Sequence, residues 1–324
     1  MKAIEFKNVY FRYGPDSPTI LRDVSLSLDF GAVVLLTGYS GSGKSTLMSL
    51  INGSIPGYVR GQFSGEICIA GEPSYGKGIS GLSARVGSVL QNADSQIVHD
   101  IVEDEIAFGA ENLGIDPEKI TRWVEESTNA MHLDRKAATR KLSGGQKQRL
   151  ITASTLAMGQ KIILLDEPLA NLDREGADII LSKLRSLAHE EGYLIFIVEH
   201  RIDYILKYVD EIYAMENASL IKLSPEDLKA MEKPVVPYRE SCAGDEIVLR
   251  ANDISMTFSS KKVLDHVSLD VRQGEKILIR GENGCGKTTF TKVLSRLIKP
   301  DSGSVESVYG KKANKNWYRH VGYV

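Results

Sequence analysis

Cysteine is scarce in this chain, with three residues in 324, Cys68, Cys242 and Cys285. They are far apart and odd in number, without metal-ligand spacing. That excludes a disulfide framework or zinc module as the organising device and makes a reduced, cytosolic setting the expectation. Long apolar runs are missing too. Runs such as LIFIV at 194–198 fall far short of the roughly 20 residues that a membrane helix needs. The opening stretch MKAIEFKNVYFRYG has no apolar core of a secretory signal. Any role at a membrane is therefore expected to come through a partner. Excess charge is also lacking: 40 basic against 42 acidic residues give a formal charge of −2, without the basic footprint of a nucleic-acid binder. What remains, 42% hydrophobic and 25% charged, is the composition of an ordinary globular protein, and the length suggests about two domains.

The chain repeats itself. GYSGSGKST begins at Gly38 and GENGCGKTT at Gly281, an offset of 243. Each stretch follows a short apolar strand candidate, AVVLLT at 32–37 or KILIR at 276–280, and precedes a helix-like segment. Upstream, ILRDVSLSLDFGA matches VLDHVSLDVRQGE; downstream, GQFSGEI resembles DSGSVES, and both copies reach a VGxV strand candidate. The segment 225–246, with Pro225, Pro234 and Pro237, reads as a linker. The expected division is 1–224, then the linker, then 247–324 as the first part of a second copy.

Both glycine stretches fit G-x-x-x-x-G-K-[ST], in which backbone N–H groups and a helix N-terminus cradle phosphate oxygens. In the first copy these are Gly38, Tyr39, Ser40, Gly41, Ser42, Gly43, Lys44, Ser45 and Thr46. In the second they are Gly281, Glu282, Asn283, Gly284, Cys285, Gly286, Lys287, Thr288 and Thr289. Lys44 is expected at the outer phosphates, with Ser45 and Thr288 on Mg²⁺. IILLDEP at 162–168 reads as a buried strand that brings Asp166 to its carboxyl end, where open α/β sheets bind ligands. Asp166 is then expected in the magnesium shell, and Glu167 beside it as the residue that orients an attacking water.

LSGGQKQR at 142–149 resembles the signature of the ATP-binding cassette (ABC) ATPases. Ser143, Gly144, Gly145 and Gln146 also suit a capped helix start. The resemblance implies that they close over the γ-phosphate of an ATP held by an opposing cassette. It further implies Tyr13 as the aromatic stacked on adenine, although a core tyrosine is the plainer reading, and Phe258 as its counterpart in the second copy. Gln91 falls at the family's magnesium- and water-contacting glutamine, Asp173 at the aspartate of the loop facing the partner cassette, and His200 at the switch histidine. His99, His132, His189, His266 and His320 fit no motif and are expected to be surface or packing residues.

Between Gln91 and the signature, about 92–141, QNADSQIVHDIVEDEIAFGAENLGI looks like the helical insert of the energy-coupling factor (ECF) branch, with Ala93 where that branch usually has proline. Ile97, Val98, Ile101, Val102 and Ile106 recur at roughly helical spacing.

The fold implied is α/β: a P-loop NTPase cassette with a core parallel sheet, an antiparallel β subdomain and a helical subdomain, followed by a partial second cassette. ATP and Mg are the implied cofactors. The implied role is ATP hydrolysis by in-line water attack on the γ-phosphate, driving import of a vitamin, vitamin precursor or metal ion. The implied partners are an ECF-type transmembrane coupling subunit, a substrate-binding membrane subunit and a second cassette, at the cytoplasmic face of the membrane, with no nucleic acid.

Two other readings stay open at this point. One is a soluble tandem cassette acting on ribosomes or nucleic acid; the other is a non-catalytic ATP-binding module. The second copy, ending in VGYV, stops short of a counterpart to Gln91, so the chain by itself is expected to bind ATP and hydrolyse it slowly.

Overall fold

The computed structural model describes all residues except 1, 201, 225, 229–243, 259–260, 282–284, 311–314, 316 and 324. Most of the expected linker, with Cys242, and the loop residues Glu282, Asn283 and Gly284 therefore lie outside the described residues. The chain forms two compact units, Met1–Lys233 and Pro234–Val324.

The first unit is organised by strands that are apolar on both faces. β3 (Val33–Gly38), β6 (Val86–Val89), β7 (Ile162–Asp166) and β8 (Leu194–Val198) lie parallel with the start of β9 (Glu211–Glu216), and β10 (Ser219–Leu223) closes the edge antiparallel. The order is β10-β9-β3-β8-β7-β6. Successive side chains point to opposite faces, so each strand feeds two cores. Val33, Leu35, Ile163, Leu165, Ile195 and Ile197 enter one; Val34, Leu36, Ile162, Leu164, Leu194 and Phe196 enter the other. At roughly 1.5–3 kcal/mol for each fully buried aliphatic or aromatic side chain, this sheet is the main stabilising element.

The second of these cores is covered by an antiparallel sheet in the order β2-β1-β4-β5, with β1 at Lys2–Arg12, β2 at Leu21–Asp29, β4 at Gln62–Ile69 and β5 at Glu72–Pro73. Helix α1 (Lys44–Ile51) lies there too, followed by the short turns α2 (Ser54–Gly57) and α3 (Gly78–Leu82). The first core is covered by α4 (Val102–Asn112), α5 (Pro117–Ala130), α6 (Gly144–Leu156), α7 (Arg174–Glu191) and the short α8 (Ile202–Ile205). Local chemistry sets their ends. Asp116 caps α5, accepting from the N–H groups of Glu118 and Lys119, with Pro117 in the first turn. Gly192, at φ 70, ends α7 in the left-handed conformation that glycine adopts without strain.

The helical spacing expected from Ile97 onward does not produce a helix before Val102. A helix from Ile97 would give the N–H groups of Val102 and Glu103 to carbonyls four residues back. They go instead to Ala137 O and Arg135 O at 3.1 Å each, while Glu105 Oε2 accepts from the Val98 and His99 N–H groups at 2.9 and 2.8 Å. Ile101 is extended and bridges to Ala138, and Val98 stays 64% exposed.

In the second unit β11 (Ile247–Phe258) pairs antiparallel with β12 (Lys261–Arg272) and β13 (Ser302–Ser307), and α9 (Lys287–Leu294) packs Phe290 and Val293 against them. The short α10 (Trp317–His320) follows, its Trp317 fully buried. Local geometry repeats between units. Asn8 and Asp23 in the first unit and Asp253 and His266 in the second are left-handed. Asn8 is joined to Asp23 at 2.9 Å and Asp253 to His266 at 2.8 Å, each across its own hairpin. Ser25 and Ser268 accept the N–H groups of Asn8 and Asp253.

KILIR at 276–280 is not a strand, and Leu278 is 77% exposed. The corresponding β3 is hydrogen-bonded on both sides, by β8 and β9. Among the described residues of the second unit no strand flanks 276–280, so its backbone has no ladder to join. The second VGxV, Val321 to Tyr323, is likewise not a strand.

Gly65 sits at φ +101 opposite the bulge of β1, where an added Cβ would lie 2.5 Å from the Asn8 carbonyl oxygen. Gly76 also has positive φ, +90, but open space around it. Both alanine substitutions carry the left-handed penalty of about 1 kcal/mol, and only Gly65→Ala adds a backbone clash. Gly65→Ala is expected to lower the thermal unfolding midpoint clearly more than Gly76→Ala; equal losses would contradict the bulge geometry.

Candidate active site

The loop between β3 and α1 is closed by contacts that only glycine permits. Gly38 has φ +136, and a Cβ there would stand 2.6 Å from the Met215 carbonyl oxygen on the neighbouring β9. Gly43, the N-cap of α1 at φ +107, would meet Ile20 at 3.0 Å. The loop therefore lies tight against the sheet and turns straight into a helix, whose first N–H groups have no intrahelical acceptor. Lys44 curls back across it, its Nζ donating to the carbonyl oxygens of Gly38 and Tyr39 at 2.8 Å each. Lys44 is 6% exposed, while Tyr39, Ser40, Gly41 and Ser45 face outward. The Ser42 hydroxyl is buried without a hydrogen-bond partner. Thr46 is buried with its Oγ1 2.8 Å from the Tyr13 hydroxyl. Tyr13 stands edge-on to Phe11 and is 44% exposed, so the residue is pinned at its tip and half open on its face.

Beside the loop, β7 delivers Asp166 and then Glu167 in the left-handed region at φ 48, where a non-glycine residue is strained. The Glu167 N–H donates to Val198 O at 2.9 Å, which fixes the turn. Its two carboxylate oxygens are each engaged. Gln91 Nε2 donates to Oε2 at 2.9 Å, and His200 Nε2 lies 3.3 Å from Oε1. Residues distant in the chain thus converge on one carboxylate. Glu199, which motif reading passed over, is 3% exposed and accepts the His200 N–H at 2.8 Å. A charged residue between LIFIV and the histidine was the available signal for it.

Burial pushes the Lys44 ammonium down from its ordinary pKa, against the pull of Glu167 and Asp166. Burial and the Glu167 charge push the Asp166 carboxyl up, with Lys44 and His200 opposing. A desolvated carboxylate of this kind is stabilised by added positive charge.

Ser143 caps α6 in a reciprocal box: its Oγ accepts the Gln146 N–H at 3.3 Å, and Gln146 Oε1 accepts the Ser143 N–H at 2.9 Å. A Cβ on Gly145 would come 3.1 Å from Asn171 O, so the helix start packs closely on the segment that leads to Asp173. Asp173 caps α7 through the Gly176 N–H at 2.9 Å. Among the described residues no hydrogen bond joins Ser143 to the loop or to Glu167.

In the second unit Gly281 has φ +159, Gly286 caps α9 at φ +95, and Lys287 Nζ donates to Gly281 O at 2.8 Å, repeating the arrangement of Lys44. Cys285 and Thr288 are exposed, Thr289 is half-buried, and Phe258 is 48% exposed at the end of β11. Cys285 Sγ lies 3.9 Å from Lys287 Nζ.

Among the described residues no three His, Cys, Asp or Glu side chains gather as a metal cage. The donor set instead fits an ion such as Mg²⁺, which uses one or two protein oxygens and takes the rest from phosphate and water. Ser45 and Asp166 can supply those oxygens, and the half-buried Asp166 carboxylate is the group an ion would relieve.

Fold and loop together define a P-loop nucleotide-binding protein. A family model for ABC transporters matches residues 21–170 and 264–324. A provisionally named ABC transporter ATP-binding protein of Treponema denticola is 35% identical over 345 residues, covering 99% of this chain and 70% of that protein. A provisionally named counterpart from Methanosarcina mazei is 30% identical over 380 residues, and the chain spans 65% of its length while 99% of the chain is covered. The solved structure of CbiO1 from Clostridium perfringens, part of the ABC transporter complex CbiONQ, superimposes with a TM-score of 0.63 at 29% identity, covering 71% of this chain and 92% of that one. The chain belongs to the ABC transporter family, whose cassettes bind ATP with Mg²⁺.

Because folding raises the Asp166 pKa, its stabilising protonated form is present below the ordinary carboxyl range. That contribution is lost as pH rises through the raised folded value. At pH 7 the ionised carboxylate therefore costs stability. Asp166→Asn is expected to raise the melting temperature of the nucleotide-free protein. It should also shrink the further rise that MgATP gives the wild type. Differential scanning fluorimetry with and without MgATP checks both; a lower nucleotide-free midpoint would contradict the electrostatic account.

Proposed function

We propose that this chain is an ATP-hydrolysing subunit of an ECF-type importer, working on the cytoplasmic face of the membrane as a peripheral component. The observation that carries the reading is the convergence of Gln91 and His200 on the strained Glu167, next to the buried Lys44. Lys44 and the loop N–H groups hold the phosphates, with Ser45, Asp166 and Gln91 as the residues that would hold Mg²⁺. The metal would neutralise charge on the β- and γ-phosphate oxygens. Glu167 orients water in line with the γ-phosphate and takes up its proton, while Gln91 and His200 fix the carboxylate and stabilise charge. Ser143, Gly144, Gly145, Gln146 and Asp173 serve a nucleotide held by another cassette, and the capped helix start at Ser143 suits an anion. Tyr13 and Phe258 offer half-exposed rings to the adenine of each loop.

The second unit is proposed as the first part of a second cassette, on the strength of its repeated loop and hairpin geometry. The likeness to CbiO1 supports the importer reading. An open cleft lined by Leu90, Val98, Phe108, Leu113, Ile151 and Met158 suits the coupling helix of a transmembrane subunit. A separate membrane subunit would read the vitamin, precursor or metal ion. Among the described residues no helix is long and apolar enough to cross a membrane.

A positioned general base contributes about 10²–10⁴-fold to rate and little to ground-state binding. Glu167→Gln in the assembled transporter is expected to keep ATP affinity and lose turnover by that factor. Phosphate release measured beside equilibrium ATP binding decides it, and near-normal turnover would overturn the assignment.

A further inference from the structure

In the run QNADSQ, residues 91–96, the first glutamine reaches Glu167 and the last one turns back on the strand that precedes them both. Gln96 Oε1 accepts the Leu90 N–H at 2.7 Å, and its Nε2 donates to Ser88 O at 3.1 Å. β6 is the edge of the parallel sheet, paired with β7 on one side. Ser88 O and Leu90 N–H point the same way along that strand. A primary amide has the donor and acceptor of a peptide group, so Gln96 satisfies both as a neighbouring strand would.

The intervening loop is pinned independently. Asn92 Oδ1 accepts the Asp94 N–H at 3.1 Å, Ser95 Oγ donates to Asn92 O at 2.7 Å, and Asp94 pairs with Lys147 of α6. Beyond Gln96, Glu105 holds the Val98 and His99 N–H groups. The backbone on the near side of Gln91, at Leu90, has its N–H held by the Gln96 amide. Leu90 itself is 45% exposed and gains little anchoring from packing.

We propose that Gln96 is a positioning residue for Gln91: its amide fixes the backbone from which Gln91 reaches the Glu167 carboxylate. Among the described residues Gln96 makes no hydrogen bond to Glu167 and bears on hydrolysis through Gln91. Because it also lines the cleft offered to the coupling helix, exchange at Leu90 is read in the chain without its transmembrane partner. The inference rests on the hydrolysis reading given under Proposed function. A displacement of about 1 Å at a reacting group costs up to about 100-fold in rate, so two lost hydrogen bonds at this hinge bear mainly on kcat.

The test compares the full chain with Gln96→Ala, Gln91→Ala and the double variant in the assembled transporter, with Glu167→Gln alongside. Gln96→Ala is expected to lower kcat by about 10- to 100-fold with KM unchanged. The double variant should match Gln91→Ala within about twofold, since a residue acting only through Gln91 has nothing left to position. Independently of turnover, amide hydrogen exchange at Leu90 should speed by about three- to tenfold in Gln96→Ala. Exchange at the strand residue Val89 should hold. An unchanged kcat, losses that multiply in the double variant, or unchanged Leu90 exchange would each overturn the proposal. If Glu167→Gln keeps turnover, the hydrolysis reading falls first. If Glu167→Gln loses turnover and Gln96→Ala does not, only the role of Gln96 falls.

Discussion

A buried lysine ammonium set against two carboxylates at the end of an apolar strand is the constraint around which the first unit is built. Lys44 is nearly inaccessible to water, and burial works against its charge as it works against that of Asp166. Opposite charges within such a site compensate one another in part, and the lysine also spends its donors on two loop carbonyls. An arrangement that costs folding energy when empty of phosphate and metal is one that gains by binding them. The parallel sheet supplies the rigid frame: β3 delivers the loop and β7 the acids, and β8 lies between them, so neither group can drift from the other.

The backbone bears the cost of this placement. Gly38 and Gly43 permit the loop to close on Met215 and Ile20, and Glu167 accepts a left-handed conformation that glycine would adopt freely. Keeping a carboxylate there, held from both sides by Gln91 and His200, makes sense if the side chain has chemistry to perform. Ser143 and Asp173 are ordered by simpler means, as helix caps with well-formed hydrogen bonds. Their amide-rich helix starts are thus fixed in the chain itself, whatever anion they later meet.

Much of this was legible in the sequence because it depends on local pattern. The glycine spacing announced the loop, IILLD and LIFIV announced buried strands, and Ser143 announced a helix N-cap. What failed depended on tertiary partners. Ile97 to Ile101 carry helical spacing, but the Val102 and Glu103 N–H groups that such a helix would need are taken by the carbonyls of Ala137 and Arg135. KILIR has the composition of a central strand, yet a strand exists only where a neighbour offers hydrogen bonds, and the described residues of the second unit offer none. Gln96 was missed for the same reason, since nothing in its spacing reveals which backbone groups it meets; Glu199 was signalled only by its charge between a buried strand and the histidine. Tyr13 falls between its two readings, pinned by Thr46 like a packing residue and half open like a stacking one.

On the proposed reading Lys44 and Lys287 each govern one nucleotide site, and calorimetric titration of the full chain with MgATP counts those sites. Each lysine makes charge-assisted contacts worth about 1.5–3 kcal/mol, so its removal should weaken one site by at least tenfold. The account predicts two nucleotides per chain, one after Lys44→Ala, one after Lys287→Ala and none at comparable affinity after both. Stoichiometry that survives Lys44→Ala unchanged would contradict it.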